Sequence, residues 1–129
     1  MPNHTTRVYD GMMEMLSTEE NPTPIVRLLR VVPHTQAKIY AKLEWYNPFG
    51  SVKDRVAESL LRDATEKGLL GERQQLVEPT SGNTGMGLAM IANAKGYSLT
   101  TPLSNKIPAE KRVMLRMFGT NVEELDDDL

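Results

Sequence analysis

The chain has 129 residues, a formal charge of −2, 40% apolar and 25% charged residues, and no cysteine. That is about one domain of globular protein. The composition excludes a disulfide framework and a thiolate metal site, and the near-neutral charge implies no general attraction to nucleic acid or membrane. The opening "MPNHTTRVYDGMMEML" has no basic stretch leading into an apolar run, so it does not read as a secretory signal. No segment approaches the roughly 18 apolar residues of a membrane span.

Residues 8–16 predict a short helix interrupted by Gly11. Asn21-Pro22-Thr23-Pro24 predicts a rigid turn. An apolar strand follows over 25–32, closed by 33–36. Residues 38–44 alternate, with Ile39, Ala41 and Leu43 on one face, and predict a second strand. Three helix–strand units come next. The first helix covers 52–67, with Ser51 as N-cap, Asp54 in the capping-box position and Gly68 as terminator. Val52, Val56, Leu60 and Ala64 form its apolar stripe. A strand at 75–78 ends at Pro79.

The second helix, 84–95, stops at Gly96 and is small-sided: Gly85, Gly87, Ala89, Ala92 and Ala94. Each glycine costs roughly 1 kcal/mol against alanine, so something is expected to approach this helix closely. A strand over 97–102 follows. Pro108 then opens a third helix, with Val113, Met114 and Met117 on its apolar side and Gly119 at its end. Residues 121–125 predict a last strand. Alternating helices and strands imply right-handed crossovers and an α/β fold with a parallel sheet and flanking helices. Neither the segment 1–36 nor the acidic end has an obvious place in such a sheet.

Two stretches carry chemistry. "EPTSGNTGMG", from Glu78 to Gly87, joins a strand to a helix start, where backbone N–H groups form a ready anion site. Six consecutive small polar or glycine residues, 80–85, exceed what one cap needs. The loop alone does not say whether the anion is a carboxylate or a phosphate. A Walker A loop is absent, because Lys53 follows Val52 and precedes Asp54. Glycines at 82, 85 and 87 reverse the dinucleotide spacing.

The second stretch is "NPFGSVKDR", Asn47 to Arg55. It puts Lys53 in the first turn of a helix, whose dipole disfavours the ammonium form and favours the neutral amine. A neutral amine forms a Schiff base with an aldehyde. Arg55 would push the same way, unless it pairs with Asp54 or another acid. His4 and His34 supply no metal set. Glu123, Glu124, Asp126, Asp127 and Asp128 read as a solvated acidic tail rather than a cation site. The methionines fit core filling, and Trp45 and Tyr46 are expected to pack.

"NPFGSVKDR" followed by "TSGNTG" resembles the fold-type II pyridoxal-phosphate (PLP) enzymes, and within them the cysteine synthase (O-acetylserine sulfhydrylase) and cystathionine β-synthase branch. "NPTPIVRL" resembles that family's N-terminal "NTPLVRL", and "IPAEKRVMLRMFGTNV" its "ERRKLLKAFGAEV" segment. The likeness covers about residues 20–125.

The resemblance implies a role for each matching residue. Lys53 would carry the pyridoxal 5'-phosphate and move the substrate α-proton, and Asn83 would hydrogen-bond the cofactor's ring hydroxyl oxygen. Thr80, Ser81, Gly82 and Thr84 would bind the substrate α-carboxylate. The family reaction replaces the β-substituent of an activated serine, such as O-acetylserine, with sulfide to form L-cysteine. The resemblance further implies a cytoplasmic location and a homodimer for the full-length enzyme.

It covers only the N-terminal portion of the family. Residues 1–36 would belong to the larger domain and 37–129 to the smaller one. The family's glycine-rich phosphate loop comes later in its sequence, so these 129 residues alone are expected to be inactive. The alternative is a stand-alone, catalytically inactive fragment that binds a small ligand or partner.

Overall fold

The structure, a computed structural model, describes residues 8–30 and 37–126. In chain order it holds β1 (Ile25–Leu28), β2 (Ile39–Lys42), α1 (Lys53–Glu66), β3 (Gln75–Val77), α2 (Asn83–Ala94), β4 (Ser98–Ser104), α3 (Ala109–Met117) and β5 (Asn121–Leu125). Short 3-10 turns lie at Met12–Met15 and Glu44–Tyr46. Strands β3, β4 and β5 form a parallel sheet in that order. All three anticipated helix–strand units are present. Each helix is followed by a glycine of positive φ, Gly68, Gly96 or Gly119, as a left-handed terminating residue requires.

Several expectations need correction. The helix expected over 8–16 shrinks to the 3-10 turn Met12–Met15, because Gly11 is fully extended before it. As expected of the leading segment, β1 stays outside the parallel sheet; it pairs antiparallel with β2, Val26 opposite Ala41 and Leu28 opposite Ile39. The expected strand over 25–32 ends by Leu28, and its last two residues lie outside the described part.

Strand β4 runs on past Pro102, where the sequence suggested a stop. Thr100 turns its carbonyl to the β3 side and accepts the Glu78 N–H at 3.1 Å. Pro102 faces the same way but lies beyond the last β3 pair, so its missing N–H costs no ladder bond. Pro108 sits just before α3 rather than at its first position.

The apolar stripes were also misassigned. On α1 the buried positions are Asp54, Ala57 and Leu61, while Val52, Val56 and Leu60 are exposed. On α3 only Leu115 is buried, and Met117 is 76% exposed. Both shifts have one cause. The faces that turn inward are those that meet α2.

Helix α2 is the centre of the core. It packs on α1, β4 and α3, and its positions 87–92 are all buried. A helix enclosed on several sides must be apolar all round, and a thin one lets its neighbours come close. The small side chains therefore serve this chain's own packing. A Cβ on Gly87 would stand 3.1 Å from the Ala57 Cβ and 3.4 Å from the Asp54 Cα. A Cβ on Gly85 would stand 2.9 Å from the Thr80 carbonyl oxygen. Gly82, by contrast, faces open space.

Gly85→Ala should therefore lower stability by about 1–3 kcal/mol, because a backbone carbonyl cannot swing aside. Gly82→Ala should change it by less than about 0.5 kcal/mol. Urea denaturation of the two variants checks this contrast, and equal losses would refute it.

Candidate active site

The fold brings the two chemistry-bearing stretches together. Lys53 is the first residue of α1, and Asn83 is the first of α2. The close approach at Gly87 joins α2 to Asp54 and Ala57, in the first turns of α1. Lys53 immediately precedes Asp54, and Asn83 lies one turn, about 6 Å of helix rise, before Gly87. Lys53 is exposed, and its amine meets no acid or acceptor among the described residues.

The expected cap takes a different form. Ser51 Oγ accepts the Lys53 N–H at 3.0 Å. Asp54 does not close a capping box. It is fully buried, and its Oδ2 accepts the Phe49 N–H at 2.7 Å. Burial pushes the Asp54 carboxyl above its ordinary value. The Phe49 N–H opposes that shift, and the Glu44 charge adds to it. Phe49 also sets its ring edge-on to Phe118, with centroids 4.6 Å apart.

Residues 78–84 leave the C-terminal end of β3, where ligands of open α/β sheets bind. The Thr80 N–H turns back to the Glu78 carbonyl at 2.9 Å. Gly82 is extended and precedes α2 without a side-chain cap, and no acid lies in the first turn. The first N–H groups of α2 thus lack intrahelical acceptors. Among the described residues, the side chains of Ser81, Asn83 and Thr84 take no hydrogen-bond partner. Thr80, Ser81, Gly82 and Thr84 are half-buried and Asn83 is exposed. None of these residues, nor Lys53, lines any of three principal cavities among the described residues.

Residues 16–129 match the family described as "Pyridoxal-phosphate dependent enzyme". The chain belongs to that family. A probable cysteine synthase of Bacillus subtilis (strain 168) is 45% identical over 100 residues, covering 78% of this chain and 32% of the relative. A cysteine synthase of Staphylococcus aureus (strain Mu50 / ATCC 700699) is 42% identical over the same coverage. The chain thus spans about a third of the length of the curated relatives it matches. Among solved structures, an O-ureido-L-serine synthase superposes with a TM-score of 0.80 at 38% identity, over 92% of this chain and 36% of that one. A hydrogen sulfide-producing enzyme from Fusobacterium nucleatum gives 0.82 at 32% identity, over 94% and 38%. The α/β fold is that of the fold-type II PLP enzymes.

The donors left over suit a PLP enzyme. PLP presents an aldehyde and a ring hydroxyl oxygen, and an amino-acid substrate presents a carboxylate. Here an amine, a carboxamide, and hydroxyls beside a helix start all stand without partners among the described residues.

Other sequence expectations end differently. Glu124 goes to Arg116 at 2.6 Å and Arg112 at 3.6 Å, and the Arg116 hydrogen bond holds its carboxyl below the ordinary value. Trp45 is 64% exposed and Tyr46 58%, so neither packs as expected. His4, His34, Asp127 and Asp128 lie outside the described residues.

Sequence reasoning missed Glu44. Its Oε2 accepts Arg55 Nε at 3.0 Å and Asn47 Nδ2 at 2.8 Å, and its Oε1 accepts the Thr23 hydroxyl at 2.8 Å. Arg55 also reaches Ser17 Oγ at 2.8 Å and Thr23 Oγ1 at 3.0 Å. Lys42 Nζ donates to the Thr23 carbonyl at 2.9 Å and to the Thr23 hydroxyl. The acid Arg55 pairs with is therefore Glu44, not Asp54. Together these bonds tie the leading segment, the end of β2 and the loop at 47 to α1. The "KDR" run raised the possibility of such a pair, but sequence spacing could not choose the partner.

The Arg55 hydrogen bond holds the Glu44 carboxyl at about 2, down from 4.5; partial burial opposes the shift, and Asn47 and Thr23 assist it. A carboxyl lowered in the folded state stabilises above its unfolded value and loses that contribution as pH falls through the folded one. Glu44→Gln should cost about 2 kcal/mol at pH 7, after discounting for partial exposure. The gap from wild type should close between pH 4.5 and about 2. Urea denaturation across that range measures it, and a gap independent of pH would rule the pair out as its source.

Proposed function

We propose that this chain supplies the lysine and the carboxylate loop of a PLP-dependent β-replacement enzyme of the cysteine synthase type. The reaction forms L-cysteine from O-acetylserine and sulfide. Support comes from one observation above all: two helix starts are held side by side, one offering an unpaired amine and the other unpaired amide, hydroxyl and backbone donors. The cysteine synthase names among the relatives point to the same chemistry.

In this reading the Lys53 amine binds the cofactor and later holds and returns the proton at the substrate α-carbon. The Asn83 carboxamide donates to the ring hydroxyl oxygen. Thr80, Ser81, Gly82 and Thr84, at the positive end of α2, hold and orient the substrate carboxylate. When bound, the cofactor supplies the electron sink for charge at the α-carbon. Residues 1–36 belong to a larger domain and 37–129 to a smaller one. The complete enzyme is a cytoplasmic homodimer.

Incubation with excess PLP followed by borohydride should place one cofactor mass on the peptide holding Lys53, and Lys53→Ala should abolish it. Asn83→Ala should weaken cofactor binding about tenfold. Label spread evenly over the lysines would overturn the assignment.

A further inference from the structure

Asp54 has no part in the chemistry above, yet it is fully buried one residue after Lys53. Its Oδ2 takes the Phe49 N–H at 2.7 Å, while its Oδ1 is buried without a hydrogen-bond partner among the described residues. Burying a carboxyl with one oxygen unpaired is unfavourable to folding. Arg55 does not neutralise it, because that guanidinium is committed to Glu44. A more stable core would hold an apolar side chain here.

The neighbours of this carboxyl indicate its use. On one side is the loop that delivers Lys53, where the Gly50 N–H bonds the Asn47 carbonyl at 2.8 Å. Asp54 ties the middle of that loop through Phe49. On the other side is the helix that delivers Asn83. A Cβ on Gly87 would stand 3.4 Å from Asp54 Oδ1 and from Asp54 Cα. One side chain thus bonds the loop and lies beside the helix, the two elements whose relative placement decides where the amine meets the first turn of α2.

We infer that Asp54 is a positioning residue, setting the reach of the Lys53 amine toward Asn83 by clasping Phe49 against α2. The inference rests on the roles given above to Lys53 and Asn83. It adds a determinant of their geometry that touches neither substrate nor cofactor. The acceptor oxygen does the clasping, so an amide of the same shape should serve where a methyl group should not.

The test uses Asp54→Ala and Asp54→Asn in the full chain, with folding checked by circular dichroism and urea denaturation. Reductive methylation with ¹³C-formaldehyde gives an NMR signal for each lysine, and loss of one signal in Lys53→Ala assigns Lys53. Exchange of the Phe49 amide is read alongside. In Asp54→Ala the Lys53 signal should move from its wild-type position and the Phe49 amide should exchange faster. PLP labelling of Lys53 should slow about tenfold relative to the other lysines. Asp54→Asn should restore all three readouts to near wild type.

A folded Asp54→Ala with unchanged Lys53 signal and labelling rate overturns the inference. If Asp54→Ala does not fold, Asp54→Asn decides, and failure to keep the wild-type signal counts against it. Absence of Lys53 labelling in the wild type would sink the proposed function instead, while the methyl signals would still judge Asp54.

Discussion

The close contact between α1 and α2 is the constraint on which the rest of this structure depends. It exists because Gly87 has no side chain. A methyl group there would press on Ala57 and on the backbone of Asp54, both too firmly held to yield easily. Helix α2 is otherwise sealed by the sheet and α3, so its small residues are a packing requirement. The consequence for chemistry is indirect. Two helices pressed together near their first turns present two helix starts side by side, and those starts carry Lys53 and Asn83. The contact that sets these two starts beside each other is made by packing residues alone, Gly87 against Ala57 and Asp54.

A second set of bonds keeps that pair of helix starts in place from outside. The Glu44 carboxylate gathers Arg55, Asn47 and Thr23, and Arg55 extends the web to Ser17. These residues come from the leading segment, the 3-10 turn after β2, the lysine loop and α1. A charge pair whose carboxylate also accepts from Asn47 and Thr23 is held in one geometry by several charge-assisted hydrogen bonds. Arg55 is thereby committed to Glu44 and to the scaffold around the lysine loop. Asp54, its neighbour, turns the other way into the core. Three consecutive residues, Lys53, Asp54 and Arg55, supply a solvent-facing amine, a buried carboxylate and a lateral ion pair, as the 100° step of a helix demands.

Helix and strand boundaries in the second half of the chain follow from local chemistry. Gly68, Gly96 and Gly119 each supply the positive φ that ends a helix, and β5 falls on the residues expected of it. The lysine loop and the loop at 80–84 were legible for a similar reason. Their chemistry lies in a dense local run of lysine, glycine and short polar side chains, and their resemblance to a family is a property of sequence. Family membership and cofactor class were therefore readable before any coordinates.

What the sequence left open was every choice between partners distant along the chain. It allowed several apolar faces on α1 and α3, and only the position of α2 decided that Ala57, Leu61 and Leu115 go inward. It allowed Arg55 an acid without saying which, and the fold brought Glu44. It marked Asp54 as a cap, and the fold buried it with its Oδ2 on the Phe49 N–H. Pro102 looked like a strand end because its lost N–H matters only if a neighbouring strand is there to receive it. Periodicity, turns and motifs are local quantities that a chain carries along its length. Which surfaces meet is fixed only when the whole core closes around α2.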